Sequence, residues 1–548
     1  MKLKLKAIAM SLVFVIAATA AAGCGGKRQE VDTSRTQLYI GNYSGGVGSR
    51  WLEEYKTGFE QLYAETEFEP GKKGVEVIID NDKTLYDGGQ IPNSIANSAI
   101  NLYFTERAVY YDLVRRDLLY DITEGVTAPL DNGEKSIAEK MNADLRSYFC
   151  VDEKYYGVAH YETYRGFIYD IDLFDDNGLY MIQTDNGSRS IGGHLGDSNL
   201  TAGPDGDLST VYDNGLPATY DDFFWWCGYV KTYKNIIPIC WDGADKESYT
   251  HNLMTALQAD ANGEQNKYMQ TLTEFDNITI DIVEFDSAGN PKIVQGTVES
   301  RKDFLKMKGY YYAADFMKRI LENNYYYGMS MNIIQTAEMT QYDFLHSRFD
   351  TDLYASPIAM MADGTWWEEE ANGLFEDMSH YENAGRYERR LGFLPLPKIS
   401  EEYLGAPTLM DGNQSVAFVN GNCNSVQADL AVKFLRYITT EENLQKFNVI
   451  TGLGRDYEYK LTDEQYQGLS AFAKSVYDVS NSANISYGVT RPYETWLFAQ
   501  QESVNWYTSD ITLNGENNIY SSAISALNNP DITTKMYFEG VLKYNGVA

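Results

Sequence analysis

Apolar and polar positions along this chain fall into short runs that switch between the strand and the helix period. TQLYIGNY reads as a strand ending at Gly41, and GGVGSR leads on into RWLEEYKTGFEQLYAE. In that stretch Trp51, Tyr55, Phe59 and Leu62 recur at helical spacing. VEVIID, Val75 to Asp80, predicts the next strand. Strand, loop, helix, strand is the opening of an α/β lobe built on a parallel sheet.

EKYYGVAHYETYRGFIYDIDLF is strand-rich, and Asp175 to Asn214, full of Gly, Asp, Asn and Ser, reads as a long surface loop. Thr219 and Asp222 form a capping box for a helix through FFWWCGYV, with Trp225 and Trp226 expected in the core. IIPICW predicts a buried strand, and Ser300 with Asp303 caps a helix through YYYAADFMKRIL. SVQADLAVKFLRYITTEENLQKF reads as one strongly patterned helix. No solenoid repeat is visible.

The amino terminus follows a different logic. Lys2, Lys4 and Lys6 precede an apolar run from Ala7 to Ala22, and Ala21, Ala22 and Gly23 lead directly into Cys24. This is the order of a secretion signal, and the small residues before Cys24 resemble the bacterial lipobox, whose cysteine is lipidated. The pattern departs from the lipobox at Ala21, where Leu is preferred. The expectation is a lipoprotein signal peptide over 1–23, lipidation at Cys24, and a polar tether over 24–36 that holds the protein at the outer face of the cytoplasmic membrane.

A length of 548 residues predicts two or more lobes, and 44% hydrophobic residues is normal for a folded globular protein. The formal charge of −33 argues against nucleic acid and against docking on anionic lipid. Cys150, Cys227, Cys240 and Cys423 match no metal spacing and are expected as free thiols, with a Cys227–Cys240 bridge left open. The five histidines lack zinc-ligand spacing, and neither a GxSxG elbow nor a Walker A loop occurs. No cofactor is expected.

Six stretches, in order, resemble family 1 extracellular solute-binding proteins, the maltose-binding-protein-like lipoproteins of sugar ABC transporters. They are KYYGVAHYETYRGFIYDIDLF (154–174), GLPATYDDFFWWCGYVK (215–231), IIPICWDG (236–243), IAMMADGTWWEEEA (358–371), RRLGFLPLPK (389–398) and SVAFVNGNCNSVQADLAVKFLRYITTEEN (415–443). The resemblance implies an α/β fold of two hinge-linked, periplasmic-binding-protein-like lobes around an interlobe ligand cleft. It places lobe one at 37–158 with 400–448, and lobe two with C-terminal helices at 159–399 with 449–548. It further implies hinges near Tyr156 to Tyr161, around Leu396 to Lys398 and after Phe447, a carbohydrate ligand, ABC permease subunits as partners, and a monomer without enzymatic activity. A secreted carbohydrate-active enzyme and a binding protein for another solute stay open as alternatives.

A sugar offers apolar C–H faces and a rim of hydroxyls, so its site wants aromatic plates with carboxylates, amides and Arg around them. Trp241 and Asp242 follow an apolar strand, at the carboxyl end where open α/β sheets place ligands. Trp366, Trp367 and Glu368 follow SPIAMMA, and two adjacent Trp cannot both face a core from one regular element. Tyr161 and Glu162 lie at the expected hinge. Asn42 and Tyr43 end the first strand, with Ser44 to Gly48 permitting close backbone approach. Glu106, Asp411, Asn413 and Arg491 complete the polar candidates.

Overall fold

The structure is a computed structural model that describes residues 31–106, 110–263, 278–411, 415–487 and 504–547. The lipidation candidate Cys24 and the site candidates Asn413 and Arg491 lie outside the described residues.

The strand periods assemble two sheets. In the first, Thr36–Asn42 pairs in parallel with Val75–Asn81 and with Leu102–Thr105, and Val416–Val419 then Gly157–Ala159 continue the five-stranded sheet antiparallel. Helix Arg50–Leu62 covers one face with Trp51, Leu52, Tyr55 and Phe59 buried. Leu62, expected on that stripe, is 60% exposed, and Leu52 occupies the core instead.

The second sheet runs in the order Ile237–Cys240, Ile358–Gly364, Arg165–Asp170, Leu391–Leu394. Helices cover both faces, so its central strand reads as an apolar run, buried at every position from Ile358 to Gly364. Strand alternation divides the side chains between two cores. Phe167, Tyr169 and Met360 join the core with helices Tyr220–Tyr229, Lys246–Asn262 and Lys308–Glu322, and with Thr534–Asn545 near the carboxyl terminus. Ile168 and Met361 join the other, with Phe344, Trp367 and Phe472.

Local chemistry accounts for several departures from the sequence reading. The Thr219–Asp222 box caps its helix, with Trp226 fully buried, but the adjacent Trp225 is 44% exposed because neighbouring helix positions point about 100° apart. The Ser300–Asp303 box opens a 3₁₀ turn, Arg301–Lys306, and the helix starts only at Lys308. The predicted long helix is two, Ser425–Ile438 and Glu441–Thr451, because the Thr440 hydroxyl accepts from the Asn443 amide and caps a new start. The 175–214 stretch includes a hairpin of Tyr180–Gln183 and Arg189–Gly193. All four described cysteines are free. No described helix is long and apolar enough to cross a membrane.

The chain passes between the sheets three times. It leaves the first after Ala159 and enters the second at Arg165, returns between Leu394 and Val416, and passes again between helices Glu441–Thr451 and Ala471–Ser482. Along these crossings Thr408–Asp411 pairs in parallel with Asn484–Tyr487, and Tyr164 bridges to Asp411. Two α/β lobes joined by crossing segments result, facing each other where the carboxyl ends of the parallel strands point.

Candidate functional site

At that junction the second sheet contributes Trp366, just after the strand that ends at Gly364. The ring folds back over Gly364, where a Cβ would come within 1.8 Å of it, so the ring can lie there only over a glycine. From the other lobe Gly46 reaches the same residue with φ +53°, and a Cβ there would lie 3.3 Å from Trp366 Cβ and 3.4 Å from Glu106 Oε1. A side chain at Gly46 would be strained by its positive φ and would crowd Trp366. The Arg165 guanidinium lies 5.7 Å from the Trp366 ring centroid. Tyr249 and Asp363 complete this wall, and about 10 Å³ of space remains among them, room for about one water.

The polar groups around Trp366 form a network that spans both lobes. Lys83 pairs with Glu370 at 3.3 Å, and Arg50 with Glu369 at 2.8 Å. Arg50 also donates to the Ile450 carbonyl. Arg386 holds Glu369 at 2.6 Å and Glu368 at 3.1 Å, and reaches the Thr451 carbonyl at 3.3 Å. Gln341 donates to Glu370 at 3.1 Å and lies 3.5 Å from Asp363. Burial, reinforced by the Glu370 charge, pushes the Asp363 carboxyl up to about 8, against the pull of the Gly364 amide donating to it at 2.7 Å. Burial likewise raises the Tyr249 phenol, with the Asp363 charge adding to it. The lobes therefore meet through ion pairs at the rim and an aromatic plate with one protonatable carboxyl, Asp363, inside.

The structure brings only part of the predicted set to this place. Trp366 is there, half-buried between the lobes. Trp367 belongs to the second lobe's core: helix Trp367–Glu370 begins at this residue and sends its ring among Phe344, Phe375 and Phe472. Glu368 is consumed by Arg386 and by the Ser470 hydroxyl at 2.9 Å, a fold contact in place of a ligand contact. Trp241 is likewise a core residue, its backbone N–H on Ser330 Oγ and its ring 5.2 Å from Tyr326. Asp242 accepts the Asp245 amide at 3.0 Å, with its carboxyl raised by burial. Tyr161 packs in the first lobe's core beside Phe447. Glu162 accepts the Tyr164 hydroxyl at 2.5 Å. Asn42 ties the first strand to its neighbours, donating to Asn81 Oδ1 at 2.9 Å and Gly48 O at 3.2 Å. Tyr43, half-buried, donates its backbone N–H to Phe104 O and covers Gly45.

Arg165, Tyr249, Asp363, Lys83 and Arg50 escaped the sequence reading. Asp363 is the penultimate residue of its strand and Arg165 opens the antiparallel neighbour opposite Gly364, so both lie at the carboxyl end where α/β sheets expose side chains to ligands. Tyr249, in the first turn of helix Lys246–Asn262, gives no periodic signal that separates it from core tyrosines.

No family model matches the sequence, and no curated protein matches it. Solved structures do match in fold. RafE from Streptococcus pneumoniae in its apo-form aligns at a TM-score of 0.55 and 12% identity over 95% of this chain and 100% of its own, and RafE is also solved as a solute-binding protein in complex with raffinose. The GacH receptor of Streptomyces glaucescens GLA.O, solved unliganded and with acarbose, aligns at 0.53 and 12% over 94% of this chain and 98% of its own. A family 1 extracellular solute-binding protein from Bifidobacterium longum subsp. infantis aligns at 0.51 and 13% over 92% and 98%. The chain thus has the two-lobed α/β fold of the family 1 extracellular solute-binding proteins.

Proposed function

We propose that this chain is a lipid-anchored extracellular binding protein that takes up a carbohydrate between its lobes and hands it to an ABC transporter permease. The observation that carries this reading is Trp366. It is an aromatic plate fixed at the end of a buried strand, facing the glycine loop of the opposite lobe, with Arg165, Asp363 and Tyr249 around it. Such a plate suits the apolar face of a sugar ring, and the charged rim suits its hydroxyls. The carbohydrates named for RafE and GacH support the same class of ligand for this fold.

Ligand entry requires the lobes to part, because the space beside Trp366 holds no more than about one water. Opening breaks the Arg50–Glu369 and Lys83–Glu370 pairs, each with a solvent-exposed cation, so each is worth roughly 0.2–1 kcal/mol. A bound sugar touching both lobes shifts the balance back to the closed form by its differential affinity. Ala21-Ala22-Gly23-Cys24 supports the anchor. The reading is tested by a thermal-shift screen of mono- and oligosaccharides on the soluble Arg28–Ala548 fragment, since a ligand of the folded form raises its melting temperature. At least one saccharide is expected to stabilise the protein and to be recovered unchanged; a cleaved or transferred product would make it a carbohydrate-active enzyme.

A further inference from the structure

A second cavity, of about 390 Å³, lies against the crossing segments and shares no lining residue with the Trp366 site. Its walls come from separate parts of the chain. Glu162 and Tyr164 come from the first crossing, Asp456 and Tyr459 from the third, and Tyr487 from the strand paired along the hinge. On the extended 162–164 segment, Glu162 and Tyr164 point one way and Thr163 the other.

Among the described residues the charges in this cavity do not balance. Asp456 is 7% exposed, and its Oδ1 has no hydrogen-bond partner among the described residues. Among the described residues the charged groups acting on it are Asp411 and Glu162, both acidic, and burial with these neighbours pushes its carboxyl well above the usual range. Cationic side chains on the same wall are engaged elsewhere. Lys140 holds Glu134 and the Thr439 carbonyl. Arg455 lies 4.4 Å over the Phe447 ring and contacts His160 Nδ1 at 3.1 Å. A buried carboxylate without a counter-ion is costly, and removing its charge or supplying a cation relieves the cost.

We infer that this hinge cavity binds a small organic ammonium ion, with Asp456 and Glu162 as its counter-charges and Tyr164, Tyr459, Tyr477 and Tyr487 as its walls. Tyrosine faces attract ammonium groups, and carboxylates accept their N–H bonds. The cavity volume lies within the range of small-molecule sites. A metal ion fits less well: no group of His, Cys, Asp and Glu among the described residues has the arrangement to hold one. The strongly negative protein draws cations toward it.

The probe is 1,4-diaminobutane, titrated calorimetrically into the whole protein in detergent at fixed ionic strength, with 1,4-butanediol as the uncharged control. The expected result is one saturable site for the diamine and none for the diol. Asp456→Asn and Glu162→Gln should weaken it at least tenfold, and Glu53→Gln, on an exposed helix face of the first lobe, should leave it unchanged. Ser480→Trp, which plugs the cavity from its half-buried rim, should abolish binding and keeps the test decisive if a buried variant fails to fold. The inference is overturned if the wild type shows no saturable site, or if Glu53→Gln loses as much affinity as Asp456→Asn. It is overturned equally if Ser480→Trp binds normally, or if potassium or calcium fills the same site in place of the diamine.

Discussion

Two neighbouring tryptophans should respond to truncation in opposite ways. Trp367 is fully buried, with ring centroids of Phe472, Phe375 and Phe344 at 5.5, 5.7 and 6.0 Å. Trp367→Ala leaves a cavity in a core that cannot collapse around it, a loss of about 3–5 kcal/mol. Trp366 sits between lobes, above Gly364 and beneath Gly46, so each lobe keeps its own core when the ring is removed. Trp366→Ala should therefore lose mainly the stacking on a sugar face, roughly 1–3 kcal/mol by analogy with base stacking on aromatics. That range corresponds to about five- to a hundredfold in affinity. Urea unfolding and titration calorimetry with a stabilising saccharide separate the two variants. The reasoning is refuted if Trp366→Ala binds like the wild type, or if both variants lose the same stability and the same affinity.

Other consequences follow from the same geometry. Arg386→Met should destabilise the protein by about 3–5 kcal/mol in urea unfolding, because it strands the buried Glu368 without its cation and leaves Glu369 only Arg50. Arg50→Ala, on a half-exposed side chain, should change stability by no more than about 1 kcal/mol while loosening lobe contact. Asp363 keeps its proton up to about 8, whereas an unfolded Asp loses it near 3.8. Folding thus takes up a proton between those values, and its contribution to stability falls as pH rises through that window. Asp363→Asn should flatten that fall in melting temperatures measured from pH 4 to 9; an unchanged slope would mean the carboxyl is ionised when folded. Cys24→Ala should abolish incorporation of labelled fatty acid, and continued labelling would remove the proposed anchor.

Much of the fold was legible because period and capping are local. The Thr36–Asn42 and Val75–Asn81 strands, the Trp51–Tyr55–Phe59 stripe and the Thr219 cap needed only neighbouring residues. The break at Thr440 was visible in principle, as a Thr three residues before Asn443, but the run between the two helices, Thr439 and Thr440, holds no Gly or Pro to mark it. The site was harder. Sequence placed a tryptophan at a strand end twice, and the two ends differ: Trp366 comes after a glycine that lets its ring fold back over the strand end beneath Gly46, while Trp241 runs straight into its own core. Lys83 and Glu370 are far apart in sequence, and nothing local marks them as partners across a junction.

The central claim is capture of a carbohydrate by lobe closure, and small-angle X-ray scattering tests it most directly. The soluble Arg28–Ala548 fragment would be measured with and without the saccharide that stabilises it most. The account predicts a smaller radius of gyration with sugar, matching the arrangement in which Gly46 meets Trp366. A saccharide that saturates the protein while the radius of gyration stays unchanged would contradict it.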